Sequence, residues 1–371
     1  MSLISLCIEN FRNIKAATIE CAPHFNLFFG NNATGKTSLL EAIYYLGTGK
    51  SFRTHQLENV IHYNQFLFTL SAESFQDNAH IIIGLQRTQA GQMTVRVNQK
   101  NIRSIAEISS QLPMQFISAE SHRLLTDGPK LRRQFLDWGL FYTNTTFFPV
   151  WKQFQKILVQ RNAALKSHAS EQEMFVWNRQ FSEISETLNN LRKQYITTLI
   201  PFFQKMVQVL LPEKIINLNY LSGWDDMQSL QNCLDSNLFK EYQASHTLYG
   251  PHRADLSLSV NNFSVENCLS QGQLKLCAYA LKLAQGLHLQ ETTNKTPIFL
   301  IDDMPSELDN EKRHLITEIL SQLDAQVFIT GIEKTDLTEI YMLSEKNKMF
   351  HVEHTITGAT LTTHHFQMQC E

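Results

Sequence analysis

The chain has 371 residues, 43% of them hydrophobic and 18% charged, with 32 Lys and Arg against 35 Asp and Glu for a net charge of −3. That length predicts one large or two medium cores, and the apolar fraction excludes a disordered or fibrous chain. The near-neutral balance excludes a protein that coats nucleic acid over its whole surface, so any polyanion site has to be a local patch.

The first residues, Met1–Glu9, carry no basic segment ahead of their short apolar run, so no signal peptide is expected. The uncharged stretch 138–151 is too short and too rich in Thr and Asn to span a bilayer. Cys7, Cys21, Cys233, Cys268, Cys277 and Cys370 are scattered without a C-x-x-C pair. That pattern predicts reduced thiols in a cytoplasmic protein and argues against structural zinc.

Alternation over Leu3–Ile8, the apolar run Phe25–Phe29, and short β-rich segments at Phe66–Ala72, Ile81–Leu85 and Met93–Val97 predict strands, the last three in an antiparallel meander. Gly30-Asn31-Asn32-Ala33-Thr34-Gly35-Lys36-Thr37 follows the Phe25–Phe29 run and leads into an amphipathic helix over Ser38–Leu46. It matches G-x-x-x-x-G-K-[ST] in the strand–loop–helix context that a phosphate-binding loop needs. Its glycines let backbone N–H groups turn inward, and the helix N-terminus adds partial positive charge. Lys36 is placed to meet the β- and γ-phosphates of a nucleoside triphosphate, and the Thr37 hydroxyl to ligate Mg²⁺.

Residues 124–211 read as helical, and Phe181, Ile184, Leu188, Leu191, Tyr195 and Leu199 recur at steps of three or four. The stripe suits either a core-facing helix or a short antiparallel coiled coil. From Glu120 to Lys214 there are thirteen Lys and Arg against eight Asp and Glu, a local +5 that leaves −8 elsewhere. This lobe is a candidate phosphate-contacting surface, although helices also carry solvated bases with no partner. Arg132 and Arg133 suit either contact with a polyanion or a structural tie, as do His252 and Arg253.

A strand is expected at Leu256–Val260, then a helix to Leu289, and buried parallel strands at Ile298–Ile301 and Val327–Thr330. The first of these ends in Asp302-Asp303, 272 residues after Gly30. At the C-terminal end of a buried strand, Asp302 suits the Mg²⁺-linked carboxylate and Asp303 the group that polarises the attacking water. The spacing implies a large insertion within the nucleotide fold.

Leu269-Ser270-Gln271-Gly272-Gln273 resembles the signature of ABC-type ATPases, and Ser306-Glu307-Leu308-Asp309 resembles their D-loop. Ser270, Gly272, Gln273 and the helix N-terminus behind them make a second anion site, which in such ATPases closes on ATP held by a partner subunit. Ile8–Asn13, Lys50–Thr54, Asp127–Asp137 and Tyr249–Asp255, together with these motifs, resemble the RecF family of SMC/Rad50-like ATPases nearly end to end.

The resemblance implies an α/β ABC/SMC-like head with an antiparallel β subdomain, built from 1–115 and 255–371, and a helical lobe inserted at 116–254. It implies ATP sandwiched between two subunits of a homodimer and binding to single-stranded, gapped and duplex DNA without sequence preference. It further implies weak DNA-stimulated ATP hydrolysis as a release switch. The partners it implies are RecR, RecO and RecA-type recombination proteins, with roles in fork maintenance and SOS induction. The alternative is the nucleotide-binding subunit of an ABC transporter. The chain departs from ABC habit at Gln271, where transporters have glycine, at Asp303 in place of glutamate, and at Thr330, where many ABC proteins carry a switch histidine.

Overall fold

A computed structural model describes residues 2–76, 79–102, 104–355 and 358–364; Met1 and Cys370 lie outside these. The chain forms two compact units, Met1–Ser121 with Thr293–Glu371, and His122–Thr292.

The first unit contains two six-stranded sheets. One is the expected antiparallel meander, in which Ser2–Phe11 sits between Ile14–Glu20 and Leu67–Gln76, followed by Ala79–Thr88, Met93–Val97 and Lys100–Asn101. The other runs in the order Gly358–His364, Lys348–Thr355, Phe25–Phe29, Val327–Gly331, Ile298–Ile301, Met114–Ile117. Its pairs are parallel except for the edge hairpin of Lys348–Thr355 and Gly358–His364. Phe25–Phe29, Val327–Gly331 and Ile298–Ile301 are buried at every position, which accounts for their unbroken apolar character.

The helix Lys36–Thr48 lies in the shared apolar core. Leu39, Leu40, Ile43, Tyr45 and Leu46 pack in one cluster with Leu6, Ile8, Phe68 and Leu70 of the meander and with Phe28, Ile298, Phe328 and Phe350 of the parallel sheet. Burial of each such aliphatic side chain stabilises the fold by about 1.5–3 kcal/mol. The helix that starts at the phosphate loop is thereby fixed by two sheets.

The second unit is built on the helix Glu171–Leu210, opened by a reciprocal capping box between Ser170 and Glu173. It packs against Phe147–Lys166 across a short connection, with Phe154 and Phe181 at a ring distance of 5.6 Å. The lobe is not wholly helical. Asn217–Leu221, Asp255–Val260 and Phe263–Ser264 form a three-stranded antiparallel sheet within it.

The division differs from the expected one at both boundaries, slightly at 121/122 rather than 115/116 and widely at 292/293 rather than 254/255. The reason is pairing and packing. Asp255–Val260 joins its sheet to Asn217–Leu221, and the helix Gln271–Thr293 is tied to the lobe by Gln285 Nε2, which donates to Phe135 O and Tyr195 Oη. Among the described residues no helix is long and apolar enough to cross a membrane.

Candidate functional site

Gly30 and Gly35 adopt φ of +148° and +115°, which strains any residue with a side chain, and at Gly30 the backbone opposite also leaves no room for one. A Cβ on Gly30 would stand 2.3 Å from Val352 O, and one on Gly35 3.0 Å from Asn13 Nδ2. Between them the loop is drawn together by Thr34 Oγ1 donating to Asn31 O at 2.9 Å. Lys36 Nζ folds back across it, donating to Gly30 O at 2.7 Å and Asn31 O at 2.8 Å. Burial pulls the lysine below its ordinary pKa, while Asp303 and Asp302 draw it back up.

Thr37 Oγ1 donates to Asp302 Oδ2 and Oδ1 at 3.0 and 3.1 Å, so both expected metal ligands are adjacent. Burial raises the pKa of Asp302 and the neighbouring Asp303 adds to that, while the hydrogen bonds from Thr330 and Thr37 and the charge of Arg53 oppose it. Asp303 sits beside it in the left-handed region, φ +53°. Its Oδ1 is buried without a hydrogen-bond partner among the described residues. These groups, with Asn32, Ala33 and Ser38, line one cleft of about 540 Å³.

The donor set fits a nucleoside triphosphate with a divalent cation. One hydroxyl and one carboxylate are the protein share that Mg²⁺ takes beside phosphates and water, and the unpartnered Asp303 oxygen has acceptor capacity to spare.

Ile8–Asn13 and Lys50–Thr54 carry family resemblance in the sequence but no evident role. In the structure Arg12, Asn13, Arg53, Asn59 and Ile61 complete the cleft. Arg12 reaches Glu41 through Nε at 2.9 Å and Nη2 at 2.6 Å, and also donates to Asn59 O. Ser51 Oγ donates to the same carboxylate at 2.5 Å. A signal was present: Glu41 lies among apolar residues in the helix that opens at the loop, and a charge buried there requires a partner.

Ser270, Gly272 and Gln273 belong to the second unit. Gln273 N donates to Ser270 Oγ at 3.3 Å and Ser270 N to Gln273 Oε1 at 3.0 Å, so the signature caps its own helix. A Cβ on Gly272 would meet no atom within 4 Å among the described residues, so nothing in its own chain demands glycine there. Asp309, in the D-loop-like segment, caps the helix Asn310–Gln322 through Lys312 N. Several bases of the helical lobe are internally engaged. Arg132 forks onto Asp255, Arg133 donates to Ala254 O, Arg161 is buried against Glu241, and Arg192 pairs with Asp137.

Residues 2–358 match the model of the RecF/RecN/SMC N terminal domain family. The chain is 40% identical over 355 residues to the DNA replication and repair protein RecF of Psychromonas ingrahamii, covering 95% of this chain and 98% of that one. To RecF of Coxiella burnetii it is 40% identical over 352 residues, covering 94% and 97%. Among solved structures it is similar to the recombination mediator protein RecF with ATP in the RecFOR pathway, at 26% identity and a TM-score of 0.86, covering 98% and 97% of the two chains. An SMC head bound to the C-winged helix domain of ScpA shares the fold, with a TM-score of 0.62 at 13% identity.

Proposed function

Since the chain belongs to the RecF family of SMC-like ATPases, we propose that it is an ATP-dependent DNA-binding protein of recombinational repair. ATP binds in the Lys36 cleft, where the Thr37 hydroxyl and the Asp302 carboxylate would hold Mg²⁺. Ser270 and Gly272 of a second copy close on its γ-phosphate, so that two chains clamp two nucleotides and engage gapped or duplex DNA through its backbone. The bare approach to Gly272 supports that arrangement, because a glycine unconstrained by its own chain leaves room for a phosphate brought by another. The setting is cytoplasmic, and the partners are RecO and RecR in loading RecA. The match over 95% of the chain to RecF relatives favours this reading over a transporter subunit.

The observation that carries the proposal is the convergence of Lys36, Thr37 and Asp302, with Thr37 Oγ1 3.0 Å from the carboxylate despite 265 residues of separation. In hydrolysis, a water oxygen bonds to the γ-phosphorus and the bond to the β,γ-bridging oxygen breaks, its electron pair leaving with ADP. The water proton passes to the Asp303 carboxylate. Bound Mg²⁺ supplies charge neutralisation on the phosphates. Lys36 orients the γ-phosphate, and the short Asp303 side chain makes the reaction slow enough to act as a release switch.

Light scattering with and without ATP–Mg²⁺, using Asp303→Asn to slow turnover, tests this. A dimer only with ATP is expected. A monomer under both conditions that still hydrolyses ATP would overturn the composite site.

A further inference from the structure

We propose that Thr330 is a positioning residue for hydrolysis, one hydroxyl that fixes the backbone of Asp303 to the carboxylate of Asp302. The proposal rests on the ATPase reading above and concerns how the proton acceptor is held in place.

Strand order makes the contact. Val327–Gly331 lies between Phe25–Phe29, which feeds the phosphate loop, and Ile298–Ile301, which ends in the two acids. The parallel register sets Ile329 beside Ile301 and Thr330 beside Phe28. Thr330, fully buried, therefore stands level with the point where the acidic strand leaves the sheet.

Its Oγ1 donates to Asp302 Oδ1 at 2.7 Å and accepts from Asp303 N at 2.7 Å. A hydroxyl has one proton and two lone pairs, so giving the proton to the carboxylate leaves the oxygen free to hold the amide.

The amide it holds is in an unusual place. Asp303 has φ +53° and ψ +42°, a left-handed conformation that a residue with a side chain adopts at some cost. Ser306 secures the other side of the same residue, its N and Oγ donating to Asp303 O at 3.2 and 3.0 Å. Held at both amide and carbonyl, Asp303 keeps its carboxylate at the cleft with Oδ1 unspent.

Thr37 converges on the same Asp302 carboxylate from the phosphate loop. A continuous path thus runs from Thr37 through Asp302 and Thr330 to Asp303, linking the metal-side carboxylate to the geometry of the proton acceptor.

The test compares side chains that differ only in the hydroxyl: Thr330 with Thr330→Val, and Thr330→Ser with Thr330→Ala. Three quantities are read: steady-state ATP hydrolysis, affinity for a non-hydrolysable ATP analogue, and lifetime of the ATP-induced dimer. Thr330→Val is expected to lower kcat by about tenfold to a hundredfold, the penalty of a misplaced catalytic group. Analogue affinity should fall far less than kcat, and the ATP dimer should outlive that of the wild type. Thr330→Ser should retain hydrolysis.

Wild-type turnover by Thr330→Val, or a loss of analogue affinity in step with the loss of rate, overturns the proposal. If the valine does not fold, the Ser–Ala pair decides in the same way, and equal rates for the two overturn it. A wild type that binds ATP without hydrolysing it is a different result: it removes the ATPase reading, and the role of Thr330 with it.

Discussion

Replacing Arg12 with alanine isolates an electrostatic tie that joins three segments of the nucleotide cleft. The Glu41 side chain is fully buried and the Arg12 side chain only 15% exposed. Their two hydrogen bonds, 2.9 and 2.6 Å, form a fork of the kind that makes guanidinium–carboxylate pairs strong. Removing one partner of a buried pair costs about 3–5 kcal/mol, because the remaining charge is left without compensation.

Here two groups soften that loss: Ser51 Oγ stays on Glu41 Oε1 at 2.5 Å, and Arg53 lies 3.8 Å from Oε2. The lower end, about 3 kcal/mol, is therefore expected for Arg12→Ala. Arg12→Met with Glu41→Leu leaves no buried charge. It should cost less than Arg12→Ala alone, although Ser51 then loses an acceptor worth about 1 kcal/mol.

Urea unfolding of the wild type, Arg12→Met, Glu41→Leu and the double variant gives the coupling energy directly, with Arg12→Ala measured beside them. Arg12→Ala within about 0.5 kcal/mol of wild type, the usual range for surface substitutions, or a double variant less stable than Arg12→Ala, would refute the reasoning. The same single variant should weaken ATP binding, since Arg12 also lines the cleft.

Ser270→Arg should block the ATP-bound dimer yet leave ATP binding to the monomer intact, whereas Lys36→Arg should weaken nucleotide binding itself. Equilibrium binding and light scattering separate the two, and loss of monomer binding in Ser270→Arg would defeat the assignment in trans. Burial pushes His252 down from 6.5 to about 4, with Arg253, Arg133 and Arg161 adding to the shift and the hydrogen bond to Thr247 O opposing it. Its contribution to stability is full above pH 6.5 and is lost as pH falls toward 4. At about 1.4 kcal/mol per pH unit the loss is at most about 3 kcal/mol, so His252→Gln should flatten the acid limb of the unfolding curve; an unchanged slope would count against it. Gly139→Ala would set a Cβ 1.8 Å from Tyr195 Oη. Overpacking there should cost about 3 kcal/mol, and an unfolding midpoint equal to that of the wild type would show that Tyr195 moves freely aside.

What the sequence reveals about this site follows the range over which each feature is encoded. Gly30–Thr37 is legible because strand, loop and helix are contiguous, and its special residues answer local demands: φ above zero at Gly30 and Gly35, and an ammonium at Lys36. Asp302 is legible because a buried strand ending in acids points to a strand terminus in an α/β sheet. The strand at Asp255–Val260 is also evident from alternation, yet alternation does not say which sheet receives it. Its partner is Asn217–Leu221, so a boundary at 254/255 separates two paired strands. The same limit hides Arg12 from Glu41, 29 residues apart, and Thr330 from Asp303, 27 apart. The first contact depends on how the helix packs against the meander and the second on strand order and register, and no window of sequence contains either. A threonine at the end of an apolar strand reads locally as a β-branched core residue. It becomes a candidate for holding Asp303 only once the sheet sets its strand between the phosphate loop and the acids.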